Sequence, residues 1–366
     1  MENKKKVLIL VNHDLVIYNF RKELVEKLIA SNYQVIICSP NGKRINKLIE
    51  MGCEHKEIYI NRHGTNPLQD MKLIKKYYEI MSEIKPSIVL TYTIKPNIYG
   101  GFAARLLKIP YVANITGLGS AVEKESFVQK ITLLLYKSSF KKINKIYFQN
   151  EENMLFFKRN NLIFSNYSLV PGSGVNLNEF KRIDYPQKEE VNFVFISRIM
   201  KEKGIDQYLE AAIFIKKKYK NVNFHICGFC EENYEEKLEV MSNEGIIKYH
   251  GMVDDVREIL KFCHCTIHPS YYPEGISNVL LESAASGRPL ITTDRSGCRE
   301  VVDESINGFI IKQKNVEDLI NKIEKFISLD YKQKCKMGEN SRIKVEKEFN
   351  RDIIVNDYMS TIREII

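Results

Sequence analysis

Side chains suited to chemistry crowd into two stretches of this 366-residue chain. One reads Ser197-Arg198-Ile199-Met200-Lys201-Glu202-Lys203-Gly204 and follows the apolar run Val191–Ile196. Arg198 and Lys203 straddle a strand-to-helix turn. A guanidinium grips a diphosphate bidentately, an ammonium neutralises charge, and a helix N-terminus adds backbone N–H donors. Ordinary surface charge has the same composition, so position alone leaves both readings open. The other stretch says more. Thr266-Ile267-His268 runs into Pro269-Ser270-Tyr271-Tyr272-Pro273-Glu274-Gly275, and a helix carrying Leu280-Leu281-Glu282-Ser283-Ala284-Ala285 follows. Glu274 and Glu282 stand eight positions apart, on the order of 10 Å along a helix. That is too far to share a proton. It suits an elongated ligand with hydroxyls at both ends and phosphates between them, over the helix N-terminus. A nucleotide diphosphate sugar has this layout. Glu282, set among leucines and alanines, reads poorly as a solvated acid.

The elements that must position these residues alternate along the chain. Val7–Val11, Gln34–Cys38, Ile88–Thr91, Tyr111–Ile115 and Lys145–Phe148 have strand length and β-branched or aromatic content. Ile17–Ile29, Asn66–Glu83, Asn97–Leu107 and Phe127–Lys142 have apolar residues at helical spacing. The run Val170-Pro171-Gly172-Ser173-Gly174-Val175 and the polar segment Lys181–Glu190 interrupt the pattern. It restarts with strands at Val191–Ile196, Asn223–Cys227, Thr266–His268 and Leu290–Thr292. Helices are predicted at Ile205–Lys218, Tyr234–Met241, Asp255–Phe262, Ser277–Ala285 and Val316–Ile327. The reading is α/β: two doubly wound, Rossmann-like domains facing a cleft, 1–172 and 173–345. A helical tail runs from about Glu339, its last part, 346–366, packing back on the first domain. Ligands of such sheets sit at the carboxyl ends of the strands.

Composition narrows the class. At 44% hydrophobic residues, with 18 Gly and 10 Pro, the chain is globular rather than fibrous or disordered. No apolar run approaches the ~20 residues that span a bilayer. Lys4-Lys5-Lys6 before Val7–Val11 imitates a signal peptide, but five apolar residues fall short of a secretory core. A cytoplasmic protein with reduced cysteines is expected. Its net charge of +9 fits either a solvated basic surface or an anionic partner. Cys227-x2-Cys230 and Cys263-His264-Cys265 have zinc-ligand types, yet they border strands where buried thiols are common, so no metal is expected. Walker and dinucleotide-binding loops are absent, and nucleic acid is not an expected partner. Phe127–Phe148 mixes apolar residues with Lys130, Lys137, Lys141, Lys142 and Lys145. It reads as a sheet-packed helix with a solvated lysine face or as one lying on an anionic membrane.

Taken in order, Gly174-Val175 before Phe180, Arg198-x4-Lys203-Gly204, Glu274-x7-Glu282, and Ser286-Gly287-Arg288-Pro289 followed by Gly297-x2-Glu300 resemble family 4 glycosyltransferases of the GT-B fold. Thr91-Tyr92-Thr93-Ile94-Lys95-Pro96-Asn97 and Asn114-Ile115-Thr116-Gly117-Leu118-Gly119-Ser120 resemble their capsule, O-antigen and lipid-linked-glycan branch. The resemblance implies retaining, metal-independent transfer of a hexose or N-acetylhexosamine from a nucleotide sugar, a UDP-sugar by preference, with no other cofactor. The implied acceptor is a polyprenyl-diphosphate-linked saccharide at the inner face of the cell membrane, approached by the basic face of the first domain. Arg198 and Lys203 would stabilise the leaving diphosphate, Glu274 would hold the donor sugar and Glu282 the ribose. Backbone amides of Gly275, Ile276, Ser277 and Asn278 would complete the phosphate site. His13, Lys95, Asn97, Gly117 and Gly119 are the candidate acceptor contacts. Two features depart from the family: Thr116-Gly117-Leu118-Gly119 lacks a histidine common there, and Gly228-Phe229-Cys230 replaces Gly-x-Gly. The rival readings are a GT-B UDP-sugar epimerase needing no acceptor, and an inactive nucleotide-sugar-binding scaffold.

Overall fold

The computed structural model describes residues 4–61, 66–118, 122, 126–164, 166–187 and 190–366. The chain divides into two compact units, Met1–Gly174 together with Arg351–Ile366, and Val175–Asn350.

Among the described residues the first unit holds a seven-stranded sheet in the order β3-β2-β1-β4-β5-β6-β7. The strands are β1 (Lys6–Leu10), β2 (Gln34–Ser39), β3 (Glu54–Glu57), β4 (Ile88–Tyr92), β5 (Tyr111–Ile115), β6 (Lys145–Phe148) and β7 (Asn166–Leu169). Every pairing is parallel, with Leu8 of β1 opposite Ile36 on one side and Val89 on the other. Helices cover both faces, which is why the central strands are continuous apolar runs. The edge strands read Glu-His-Lys-Glu and Asn-Tyr-Ser-Leu and are largely solvated, as unpaired edges require.

The last helix, Arg351–Ile365, is part of this unit's core. Ile354, Tyr358, Met359 and Ile362 are buried with Val7, Ile9 and Tyr147. The Tyr358 ring stacks on Tyr147 with centroids 4.4 Å apart, and its hydroxyl takes a 2.6 Å hydrogen bond from Asn114 Nδ2. Burying each large apolar side chain contributes roughly 1.5–3 kcal/mol, so this helix closes one face of the sheet. The helical tail expected from about Glu339 is in fact two helices. Tyr331–Glu348 ends where the Phe349 carbonyl accepts from Val175 N at 2.9 Å, and a new helix starts at Arg351.

Among its described residues the second unit repeats the plan with six parallel strands in the order β10-β9-β8-β11-β12-β13. They are β8 (Val191–Ile196), β9 (Val222–Cys227), β10 (Lys248–Tyr249), β11 (Cys265–His268), β12 (Leu290–Thr293) and β13 (Gly308–Ile311). Helices Ile205–Lys218 and Val316–Ser328 pack on one face, Asn278–Ala285 and Tyr331–Glu348 on the other. Arg288 is wholly buried and donates to the carbonyls of Leu260, Ile183 and Asp184 at 2.8, 3.3 and 2.9 Å. It ties the polar segment before β8 to this unit. Strand order reverses between β8 and β11, so the loops after these two strands leave the sheet side by side.

Candidate functional site

Arg198 and Lys203 lie in the loop after β8, Glu274 in the loop after β11. Gly204 lets these loops touch. Its φ is +81°, and a Cβ there would stand 2.2 Å from the Pro269 carbonyl oxygen, so glycine is required on both counts. The approach sets Lys203 Nζ 2.5 Å from Glu274 Oε1. His268, the last residue of β11, brings Nε2 to 3.3 Å from the same oxygen, and Ser270 Oγ donates to it at 3.1 Å. His268 Nε2 is also 3.1 Å from Ser277 Oγ, which explains why that hydroxyl does not cap the helix it precedes.

Burial pulls the Glu274 carboxyl up, but Lys203 and His268 outweigh it and hold the group below the usual carboxylate range. Glu274 is therefore an ionised acceptor and not a proton donor. His268, Glu274 and Cys298 each aim one metal-ligating type of atom into a space 4.8 Å across. The Lys203 ammonium already meets the carboxylate there. Burial and the neighbouring Glu274 keep the Cys298 thiol protonated.

Arg198 is held from two sides. Its Nη1 donates to Glu231 Oε2, and its guanidinium lies 5.4 Å from the Tyr272 ring centroid. Burial opposes the charge, and Glu231 more than restores it, so the guanidinium titrates higher than usual. Lys203 shares the ring, with Nζ 4.7 Å from its centroid. The loop Gly275–Asn278 is fixed by Gly297. There φ is +91°, and a Cβ would fall 2.4 Å from the Gly275 carbonyl oxygen. Ser277 N donates to Gly297 O at 2.7 Å, and Glu300 Oε2 accepts from Gly297 N at 2.7 Å. The Gly297-x2-Glu300 motif thus shapes the turn into helix Asn278–Ala285. Ile276 points into the core, while Asn278 and Glu282, one turn apart, share a half-buried face.

The second-unit candidates therefore converge. His268, Ser270, Tyr272 and Glu231 join them and were missed in the sequence. His268 left one signal, a polar residue ending an otherwise apolar strand. The first-unit candidates follow three neighbouring strands, β1, β4 and β5, with Lys95 and Asn97 on one helical turn. His13 caps the helix Asp14–Phe20, its Nδ1 accepting from Leu15 N at 3.1 Å. Lys95 pairs with Asp70 at 2.9 Å. Asn97 is 1% exposed and donates from Nδ2 to the Asn114 carbonyl, which turns it inward. Gly117 follows β5 with φ +145°, and Gly119 lies outside the described residues. Of the cysteine clusters, Cys227, Cys263 and Cys265 are buried thiols, and His264 Nδ1 accepts from Asn192 N at 3.1 Å.

Comparison with known proteins finds glycosyltransferases over both units. The family described as glycosyl transferases group 1 matches residues 178–344, and the family described as glycosyl transferase 4-like matches residues 6–150. The N,N'-diacetylbacillosaminyl-diphospho-undecaprenol alpha-1,3-N-acetylgalactosaminyltransferase of Campylobacter jejuni is 26% identical, over 96% of each chain. The UDP-Gal:alpha-D-GlcNAc-diphosphoundecaprenol alpha-1,3-galactosyltransferase of Escherichia coli is 27% identical, over 77% of this chain and 76% of that protein. Among solved structures, Anabaena HepE in complex with UDP and glucose superimposes with a TM-score of 0.80 at 15% identity, covering 98% of this chain and 99% of that one.

Proposed function

Since the chain belongs to the family 4 type of glycosyltransferases with the GT-B fold, we propose that it moves a hexose or N-acetylhexosamine from a UDP-sugar to a lipid-diphosphate-linked saccharide, with retention. The observation that carries the reading is the convergence of Arg198, Lys203 and Glu274 at adjoining strand ends. As the bond from the anomeric carbon to the donor phosphate breaks, charge develops on the departing diphosphate. Two cations fixed over one tyrosine ring stabilise that charge without reorganising. They supply the positive charge that a divalent ion supplies in other sugar transfers, so the reading assigns no step to a metal. Glu274, held ionised, accepts hydrogen bonds from donor-sugar hydroxyls and orients the ring. Glu282 is assigned the ribose. The acceptor oxygen attacks from the face the diphosphate leaves, and its proton passes to a phosphate oxygen of the leaving group.

The acceptor class rests on the names of the two relatives, both of which carry a diphosphoundecaprenol-linked sugar. Helix Phe127–Ser139 favours work at a membrane surface. It buries Tyr136 and Ser139 while leaving Phe127 79% and Leu134 66% exposed beside Lys130 and Lys137. No described helix is long and apolar enough to cross a membrane. The epimerase alternative has no residue or named relative in its favour.

Calorimetric titration with UDP, GDP and ADP tests the donor assignment. UDP is expected to bind selectively, and Arg198→Ala is expected to weaken it ~10- to 100-fold, the value of one or two charge-assisted hydrogen bonds. Equal binding of all three nucleotides, or an unchanged UDP affinity in the variant, would overturn it.

A further inference from the structure

The two cations of the site are paired to carboxylates in very different settings. Lys203 and Glu274 are 9% and 14% exposed, and Glu274 is also held by His268 and Ser270. Arg198 and Glu231 are each 35% exposed. The loop that carries Glu231 is pinned through its backbone: Phe229 O accepts from Ile199 N at 2.8 Å, and Glu231 N donates to Ile199 O at 3.0 Å. The carboxylate can therefore leave Arg198 by side-chain rotation, with no movement of the chain. Neighbouring acids are engaged elsewhere. Glu232 Oε2 accepts from Lys201 N, and Asp206 accepts from Tyr234 and Lys237.

We infer that Glu231 is a displaceable counter-ion of the donor site: its carboxylate holds the Arg198 guanidinium in place over Tyr272 and yields that edge to the diphosphate of an arriving nucleotide sugar. This deepens the donor reading and rests on it. A diphosphate carries more charge than a carboxylate and can engage the guanidinium fork bidentately, so it wins the exchange. The same competition helps expel the product nucleoside diphosphate, because Glu231 recaptures Arg198 as the nucleotide leaves. Glu231 is thus a positioning residue, not a catalytic one. The Gly228-Phe229-Cys230 turn, where the chain departs from Gly-x-Gly, places it two residues after a half-exposed Phe229.

The test is a double-mutant cycle read by calorimetric titration of UDP into wild type, Glu231→Gln, Arg198→Ala and the double variant. Glu231→Gln is expected to tighten UDP binding about 3- to 10-fold, in line with a half-exposed ion pair, and to lower the UDP product-inhibition constant to match. In the Arg198→Ala background that gain should vanish. Tightening that persists there would mean a general repulsion of anions and would sink the counter-ion role. So would weaker or unchanged UDP binding in Glu231→Gln alongside a weakened Arg198→Ala, while leaving the donor reading standing. An Arg198→Ala variant with wild-type UDP affinity would remove both. The thermal midpoint of Glu231→Gln should match wild type, showing that the fold is not the variable.

Discussion

Both units wind a parallel sheet that reverses direction beside its first strand, yet the polar residues at their strand ends have different fates. In the second unit, Arg198, Lys203, His268, Ser270, Tyr272 and Glu274 converge from two loops. In the first, His13 is spent on a helix cap, Lys95 on Asp70 and Asn97 on a backbone carbonyl. Topology alone therefore supplies neighbouring loops, not a shared site. What distinguishes the second unit is close backbone approach, licensed by Gly204 against Pro269 and by Gly297 against Gly275. Loops also meet in the first unit, where Asp14 accepts from Arg44 N at 2.7 Å, but there each candidate side chain is engaged by a separate partner, whereas in the second unit they share partners in one charged cluster.

The most severe way to break this contrast is Gly204→Ala. The new Cβ meets a backbone carbonyl in a left-handed conformation, so the loops must part, at a cost of about 2–4 kcal/mol. Turnover of a lipid-linked acceptor should fall more than ~100-fold, since positioning errors of an ångström cost that much. Denaturant melts and initial rates measured together check it. A variant with unaltered stability and rate would show that loop contact is not what makes the site.

Glu274→Gln is the next largest. It leaves Lys203 buried without its counter-charge, and should cost about 1–3 kcal/mol after allowing for partial exposure. Because the folded carboxyl titrates below its ordinary value of 4.5, its stabilisation is complete above that pH and is lost progressively as pH falls from there toward the folded value. Urea midpoints followed from neutral pH down to about pH 3 should thus decline less steeply in Glu274→Gln than in wild type. Equal slopes would mean that the Lys203 pair does not govern that carboxyl.

Lys95→Ala should do least. Its pair with Asp70 lies within the first unit, the two side chains 16% and 17% exposed, so stability should fall by about 1 kcal/mol and the donor constants should not move. A change of several-fold in the acceptor KM alone would show that Lys95 also meets the acceptor, and would narrow the difference between the units.

Much of the scaffold was legible because central parallel strands are apolar on both faces. Val7–Val11, Ile88–Thr91 and Val191–Ile196 announce themselves within a residue of their observed limits. The edges were not: β3, β7 and β10 are short and polar, so they carry no strand signature until a neighbour pairs with them, and the apolar β13 is only four residues long and opens on Gly308. The helix expected over Ile17–Ile29 is broken at Arg21, whose φ of −139° interrupts a pattern that apolar spacing alone reads as continuous. In the site, Arg198, Lys203, Glu274 and Glu282 stood out by type and spacing. Glu231 and Tyr272 did not, since their meaning lies in contacts with Arg198, 33 residues from Glu231 in the chain. A contact of that range leaves no periodicity to read.

The helix Arg351–Ile365 carries a consequence for biosynthesis. It completes the core of the first unit, yet it leaves the ribosome only after every residue of Val175–Asn350 has been made. The second unit can fold as an uninterrupted stretch while the first still waits, with Val7, Ile9 and Tyr147 lacking the side chains that cover them. Through that interval the part of the sheet face around Tyr147 lacks its cover, the kind of apolar surface that chaperones engage and that aggregates when left untended.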